Sequence, residues 1–212
     1  LIKADEKLQI VEQILQGLQA AHERGIIHRD IKPENIIVTE QTQVKLVDFG
    51  VAKAIESALK TTQGVMLGTP AYMSPEQASG VPVSFKSDLF SVGVILYEMF
   101  TGITPFERRS IPATAHAIIF EEPDYDSLPA NAVTDTLVII LQRSLAKSLS
   151  DRYTSASEMC RDIQFLSSQG TEEHKYRHET IVPPLVTKSL AILYFRTLPP
   201  NQSEYLAYGI TE

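Results

Sequence analysis

The chain has 212 residues, 43% hydrophobic and 21% charged, a make-up that excludes disorder throughout and leaves enough apolar material to bury a core. With 19 Lys and Arg against 26 Asp and Glu the net charge is −7, which argues against a protein that works by neutralising nucleic-acid phosphate with a cationic face. The longest strongly apolar stretch, residues 89–100, contains Ser91 and Glu98 and falls well short of the roughly 20 residues that span a bilayer.

A single cysteine, Cys160, cannot form an intrachain disulfide, and the opening residues lack the charged and apolar regions of a secretory signal. A cytoplasmic setting is therefore expected, with no membrane contact from these residues, and a membrane anchor outside them is left open. The sequence starts at Leu1 and ends at Glu212 with no stop signal, and both ends are expected to be cut.

Residues 7–25 place Leu8, Val11, Ile14, Leu15, Leu18 and Ala21 at three- and four-residue steps before Gly25, predicting an amphipathic helix with a glycine stop. Two short β-branched runs, 36–38 and 44–47, flank the polar segment 39–43 and predict a small hairpin. From there to about residue 85 the chain is rich in Gly, Ser, Thr and Pro, too long for a plain connector and of a kind usually functional or disordered. Residues 88–100 are apolar nearly all round, predicting a central buried helix that stops at Gly102. Further helices are expected over 113–120, 132–147 and 155–167. A charged segment at 171–178 and Pro183-Pro184 predict a linker over 169–187. Residues 188–212 then read as the start of a second α/β module, with a strand over 189–195 and a helix from Glu204. No internal repeat is evident.

Two clusters carry chemistry: His28-Arg29-Asp30-Ile31-Lys32-Pro33-Glu34-Asn35 and Asp48-Phe49-Gly50. Asn35 immediately precedes the first predicted strand and Asp48 follows the second, so antiparallel pairing brings both to one end of the hairpin. Two hard oxygen ligands with no nearby Cys or His set suit Mg²⁺, which is usually held by one or two carboxylates plus substrate phosphates. Asp30, five residues before Asn35, can face the same site without ligating the metal. A carboxylate with Lys32 two residues on, beside such a site, is what phosphoryl transfer requires: one group to orient a hydroxyl and cations to offset charge on the migrating phosphate.

On these residues the sequence resembles the protein kinases, whose catalytic loop reads H-R-D-x-x-x-x-N and whose metal loop reads D-F-G. The resemblance continues in Gly68-Thr69-Pro70-Ala71-Tyr72-Met73-Ser74-Pro75-Glu76, similar to the segment that docks substrate, with Ser74 where A-P-E has Ala. Asp88-Leu89-Phe90-Ser91-Val92-Gly93 resembles the start of the central helix, with Phe90 where many kinases have Trp, and Asp151-Arg152-Tyr153 matches the late arginine that pairs with the Glu of A-P-E, here Glu76. The resemblance covers residues 1–168. It implies an α+β, protein-kinase-like fold, of which this stretch is the mainly α-helical C-terminal lobe with a small catalytic β-hairpin.

The same resemblance implies that Asp30 is the base accepting the substrate hydroxyl proton, that Lys32 steadies the transferring phosphate of ATP, and that Asn35 and Asp48 hold Mg²⁺. Lys32 and Gly68-Thr69-Pro70 are similar to serine/threonine rather than tyrosine kinases, with Thr69 bonding near Asp30 and Lys32, so the partner is a protein with a Ser or Thr acceptor. His28 is expected to pack and hydrogen-bond rather than act as a base, Asp88 to brace the catalytic-loop backbone, and Glu76 and Arg152 to form a structural ion pair. Arg29 would meet phosphate carried by the loop between Asp48 and Glu76, with Thr61 and Thr62 as acceptors. The implied parent is a bacterial-type serine/threonine protein kinase, and residues 188–212 resemble the opening of a TolB-type amino-terminal module.

A kinase also needs a glycine-rich loop, a strand lysine and a helix glutamate that pairs with it. None is found in these residues, so the fragment alone is expected not to catalyse at a useful rate. The alternative from another class is a non-catalytic kinase-like scaffold or regulatory module. A small-molecule phosphotransferase is disfavoured by the peptide-docking segment 68–76. His174 and His178, four apart, read as part of a solvated linker, Cys160 as an apolar filler, and Glu121, Glu122, Asp124 and Asp126 as a solvated loop. Substrate identity, activating signal and oligomeric state do not follow from the sequence.

Overall fold

The computed structural model describes residues 3–39, 41–49, 70–129 and 134–176, apart from the side chains of 134 and 169–176. The first helix, α1 (Ala4–His22), buries Leu8, Ile10, Val11, Ile14, Leu15, Leu18 and Ala21 on one side. The chain leaves it through a turn in which Gly25 donates to the His22 carbonyl (2.9 Å) and adopts φ +75°, a backbone conformation that glycine reaches without a Cβ clash. Strands β1 (Ile36–Val38) and β2 (Val44–Leu46) pair antiparallel with Ile36 opposite Leu46. The hairpin lies against α1.

After the short helix α2 (Pro75–Ala78) comes α3 (Phe85–Thr101). It begins three residues before the predicted start, because Ser84 forms its N-terminal cap and the Ser84 amide donates to Ser87 Oγ at 3.0 Å. Every residue from Ser87 to Tyr97 is buried, as a helix apolar all round requires. A Cβ on Gly93 would lie 2.5 Å from Ser144 Oγ, so glycine there is what lets the following helical layer approach. Gly102 closes α3 at φ +80°.

The helix α4 (Ile111–Phe120) starts earlier than periodicity indicated, with Ser110 as N-cap and Pro112 in the first turn. By contrast α5 (Thr134–Ser144) ends three residues before the predicted end at 147, and the predicted start at 132 lies outside the described residues. Beyond it the carbonyls of Ala146 and Lys147 accept from Arg152 at 2.6 and 3.1 Å rather than continuing a helix. The last helix, α6 (Ala156–Tyr176), runs past the predicted end at 167 into the stretch read as linker. A charged run offers no apolar periodicity to read yet does not by itself end a helix, and no proline intervenes before Tyr176. Helices α1 and α6 lie side by side, and α3 packs between α1 and α5 at the centre of a single apolar core.

Cys160 sits buried on α6 with its thiol pushed up by burial, consistent with a packing role. Asp124 caps the turn Tyr125–Ser127 by accepting from the Asp126 amide (3.1 Å) and Ser127 Oγ (2.6 Å), while Glu121 pairs with Arg108 at 2.6 Å. Among the described residues no helix is long and apolar enough to cross a membrane.

Candidate active site

The loop between α1 and β1 is shaped from beneath by one carboxylate. Asp88, in the first turn of α3 and 1% exposed, accepts from the backbone amides of His28 (Oδ2, 2.8 Å) and Arg29 (Oδ1, 2.8 Å). It also meets His22 Nε2 at 2.8 Å. This grip accompanies a strained backbone: Arg29 lies at φ +67°, a left-handed conformation that persists in a non-glycine residue only where its surroundings over-determine it. The helix N-terminus further favours the negative charge of Asp88.

His28 is fully buried, with Nε2 at 3.1 Å from the Val47 carbonyl and its ring 4.4 Å from that of Phe49. The Asp30 amide approaches its Nδ1 at 3.4 Å. A carbonyl on one side and an amide on the other assign the proton to Nε2. Burial pushes the imidazole below its ordinary value of 6.5, against the opposing charge of Asp88, so His28 is a neutral, packed residue.

Asp30, Lys32 and Asn35 converge. Asp30 Oδ2 lies 3.1 Å from Lys32 Nζ and 3.0 Å from Asn35 Nδ2, which also donates to the Asp30 carbonyl at 2.7 Å. The tight turn Pro33–Asn35 delivers Asn35 to the start of β1, where its carbonyl accepts from the Val47 amide at 3.0 Å. The pairing that aligns Ile36 with Leu46 thus carries Asp48 to the same end of the hairpin as Asn35. Asp48 adopts φ +55°, a second strained position beside the loop. Among the described residues no three His, Cys, Asp or Glu side chains converge as metal ligands. Asn35 Nδ2 makes both of its contacts to Asp30, so Oδ1 is the side-chain oxygen of Asn35 that could ligate a hard cation, and the Asp48 carboxylate is a second group of the same chemistry at this end of the hairpin.

The segment after the loop is anchored to the core. Glu76 and Arg152, 5% and 1% exposed, pair through two contacts of 2.8 and 3.0 Å, and Ser87 Oγ donates to Glu76 Oε1 at 2.6 Å. Burial raises the Glu76 carboxyl, yet the bonds from Arg152 and Ser87 outweigh it and hold the group below its ordinary value. The guanidinium of Arg152 also stacks 4.8 Å from the Phe90 ring. Tyr72 donates from its hydroxyl to Glu98 Oε2 at 2.8 Å; burial raises the Glu98 carboxyl against that bond.

Several contacts were not anticipated: His22 on Asp88, Ser87 on Glu76, Tyr72 on Glu98, and Gln77, whose Nε2 donates to the Arg29 carbonyl at 2.7 Å. One had a legible signal. Ser74-Pro75-Glu76-Gln77 is an S-x-x-Q capping box, in which the Ser74 amide donates to Gln77 Oε1 (2.9 Å) and Ser74 Oγ accepts from the Gln77 amide (3.4 Å). Serine in place of the familiar alanine therefore starts a helix. Gly50, Thr61, Thr62, Thr69 and residues 177–212 lie outside the described residues, as does the side chain of His174.

Comparison with known proteins matches residues 1–165 to the protein kinase domain. The chain is 40% identical over 192 residues to the probable serine/threonine-protein kinase PknB of Corynebacterium glutamicum, covering 84% of this chain and 29% of that protein. It is 39% identical over 164 residues to the serine/threonine-protein kinase PknL of Mycobacterium tuberculosis, covering 76% of this chain and 40% of that protein. It is 37% identical over 199 residues to the serine/threonine-protein kinase pkn3 of Myxococcus xanthus, covering 87% of this chain and 36% of that protein. The chain thus spans between 29% and 40% of the length of these three relatives.

Proposed function

The chain belongs to the protein kinase family, and from that premise we propose that the protein transfers the γ-phosphate of ATP to Ser and Thr hydroxyls of protein substrates. The observation that carries this reading is the convergence of Asp30, Lys32 and Asn35 on a loop braced by Asp88. A carboxylate held in that way can accept a proton at the moment a hydroxyl attacks phosphorus. The new bond joins the acceptor oxygen to the γ-phosphorus, the bond to the β-bridging oxygen breaks, and the hydroxyl proton passes to Asp30.

Lys32 orients the Asp30 carboxylate at 3.1 Å and supplies positive charge beside the transferred group. Asn35 and Asp48 would hold Mg²⁺, which when bound offsets charge on the phosphates. Arg29 is the group that would receive a phosphate placed on Thr61 or Thr62, and Thr69 would bond near Asp30 and Lys32. Residues 1–168 form the C-terminal lobe of the kinase domain, 169–187 serve as a linker, and 188–212 begin a second module of TolB type. The preference for Ser and Thr follows the names of the relatives and Lys32 itself.

In the complete protein, Asp30→Ala should lower peptide phosphorylation by at least about a hundredfold, within the range one positioned base contributes, while nucleotide binding persists. Phosphate transfer that survives the substitution at the wild-type rate would overturn the assignment.

A further inference from the structure

We infer that Gln77 is a positioning residue whose carboxamide ties the peptide-docking segment to the catalytic loop and sets the peptide plane that carries Asp30. The inference rests on the reading of Asp30 as the base and adds to it a residue that the sequence pattern did not single out.

Gln77 is the third residue of α2, and its side chain makes two backbone contacts. Oε1 accepts from the Ser74 amide at 2.9 Å, and Nε2 donates to the Arg29 carbonyl at 2.7 Å. A backbone amide can only donate and a carbonyl can only accept, so the two partners fix which end of the carboxamide is which. The Arg29 carbonyl belongs to the peptide bond that joins Arg29 to Asp30. On the other side of that bond the Asp30 amide faces His28 Nδ1 at 3.4 Å, and the Arg29 amide is held by Asp88 Oδ1 at 2.8 Å.

Arg29 is therefore pinned on both sides by side chains from distant parts of the chain, Asp88 on its amide and Gln77 on its carbonyl. Its φ of +67° is a conformation an arginine leaves unless held. The space between loop and docking segment is about 10 Å³, bounded by Asp30, Lys32, Tyr72 and Gln77 among others, the lower limit for one water. Because α2 presents Gln77 only when its first turn is formed, the contact couples an ordered docking segment to the placement of Asp30.

Two substitutions in the complete protein separate the contacts. Gln77→Glu keeps an acceptor for the Ser74 amide but sets a carboxylate oxygen against the Arg29 carbonyl; Gln77→Met removes both bonds at similar volume. Both should lower kcat for peptide phosphorylation by about tenfold to a hundredfold, the scale of an ångström-level misplacement, with KM for ATP changed less than about twofold. Amide hydrogen exchange over residues 28–35 should quicken in both variants while exchange over 156–168 stays at the wild-type rate. Unchanged exchange over 28–35, or an unchanged kcat in Gln77→Glu, overturns the inference. Should the wild-type protein transfer no phosphate, the kinase reading fails by itself, and the exchange measurement still decides whether Gln77 holds the loop.

Discussion

Arg152 reaches Glu76 across 76 positions of sequence and engages both carboxylate oxygens, at 2.8 and 3.0 Å, where neither side chain is more than 5% exposed. The same guanidinium donates to the carbonyls of Ala146 and Lys147 at 2.6 and 3.1 Å. One side chain thus holds the turn that follows α5, anchors the segment carrying Glu76 and stacks on the central helix through Phe90.

Breaking this pair leaves a buried charge without its partner. Arg152→Met should cost about 3–5 kcal/mol in denaturant unfolding, whereas replacing Glu76 and Arg152 together by apolar residues should cost less. The pair also predicts a pH dependence. The folded Glu76 carboxyl lies below its ordinary value of 4.5, so its contribution is complete above 4.5 and is lost as pH falls through the lower folded value. Stability of Glu76→Gln should therefore fall less steeply below pH 4.5 than that of the wild type; equal slopes would count against the assignment.

Asp88→Asn offers a sharper test of the brace. Asparagine must turn an NH₂ toward one of the donors that Asp88 now accepts from, the amides of His28 and Arg29 and the His22 ring. Leaving a buried donor unsatisfied costs about 1–3 kcal/mol. The expected result is a lowered thermal midpoint together with faster amide exchange over residues 28–30, and protection equal to wild type would remove Asp88 from this role.

The neutral state of His28 gives the third expectation. Its folded value is depressed below 6.5 chiefly by burial, so below pH 6.5 the unfolded chain binds the proton more readily and stability declines as pH falls toward the folded value. A ring-proton titration of His28 by NMR should have its midpoint below 6.5, and lower still in Asp88→Asn, which removes the strongest opposing charge. A midpoint at or above 6.5 would show that the ring is not desolvated as described.

Much of the candidate site was legible because its residues are close in sequence. His28 to Asn35 form one loop, and the hairpin that brings Asp48 to Asn35 needs only the alternation of two short runs and the pairing rule for antiparallel strands. The periodicity of α1 and the all-round apolarity of α3 were equally local, as were the glycines that follow them. The predicted end of α6 failed for a physical reason: a charged, polar run carries no apolar periodicity by which to read a helix, although its residues can remain helical.

By itself, then, the sequence determined the chemistry on offer, because a carboxylate, a lysine and two oxygen-bearing side chains at set spacing keep their relation in any fold that forms the loop and hairpin. Only the tertiary structure decided how that loop is held. The Asp88 contacts span 59 and 60 positions, the Gln77 contact 48 and the Arg152 contact 76. At such separations no periodicity or spacing rule applies. The contacts exist because burial around α3 brings distant polar groups together, and groups removed from water must find partners in one another.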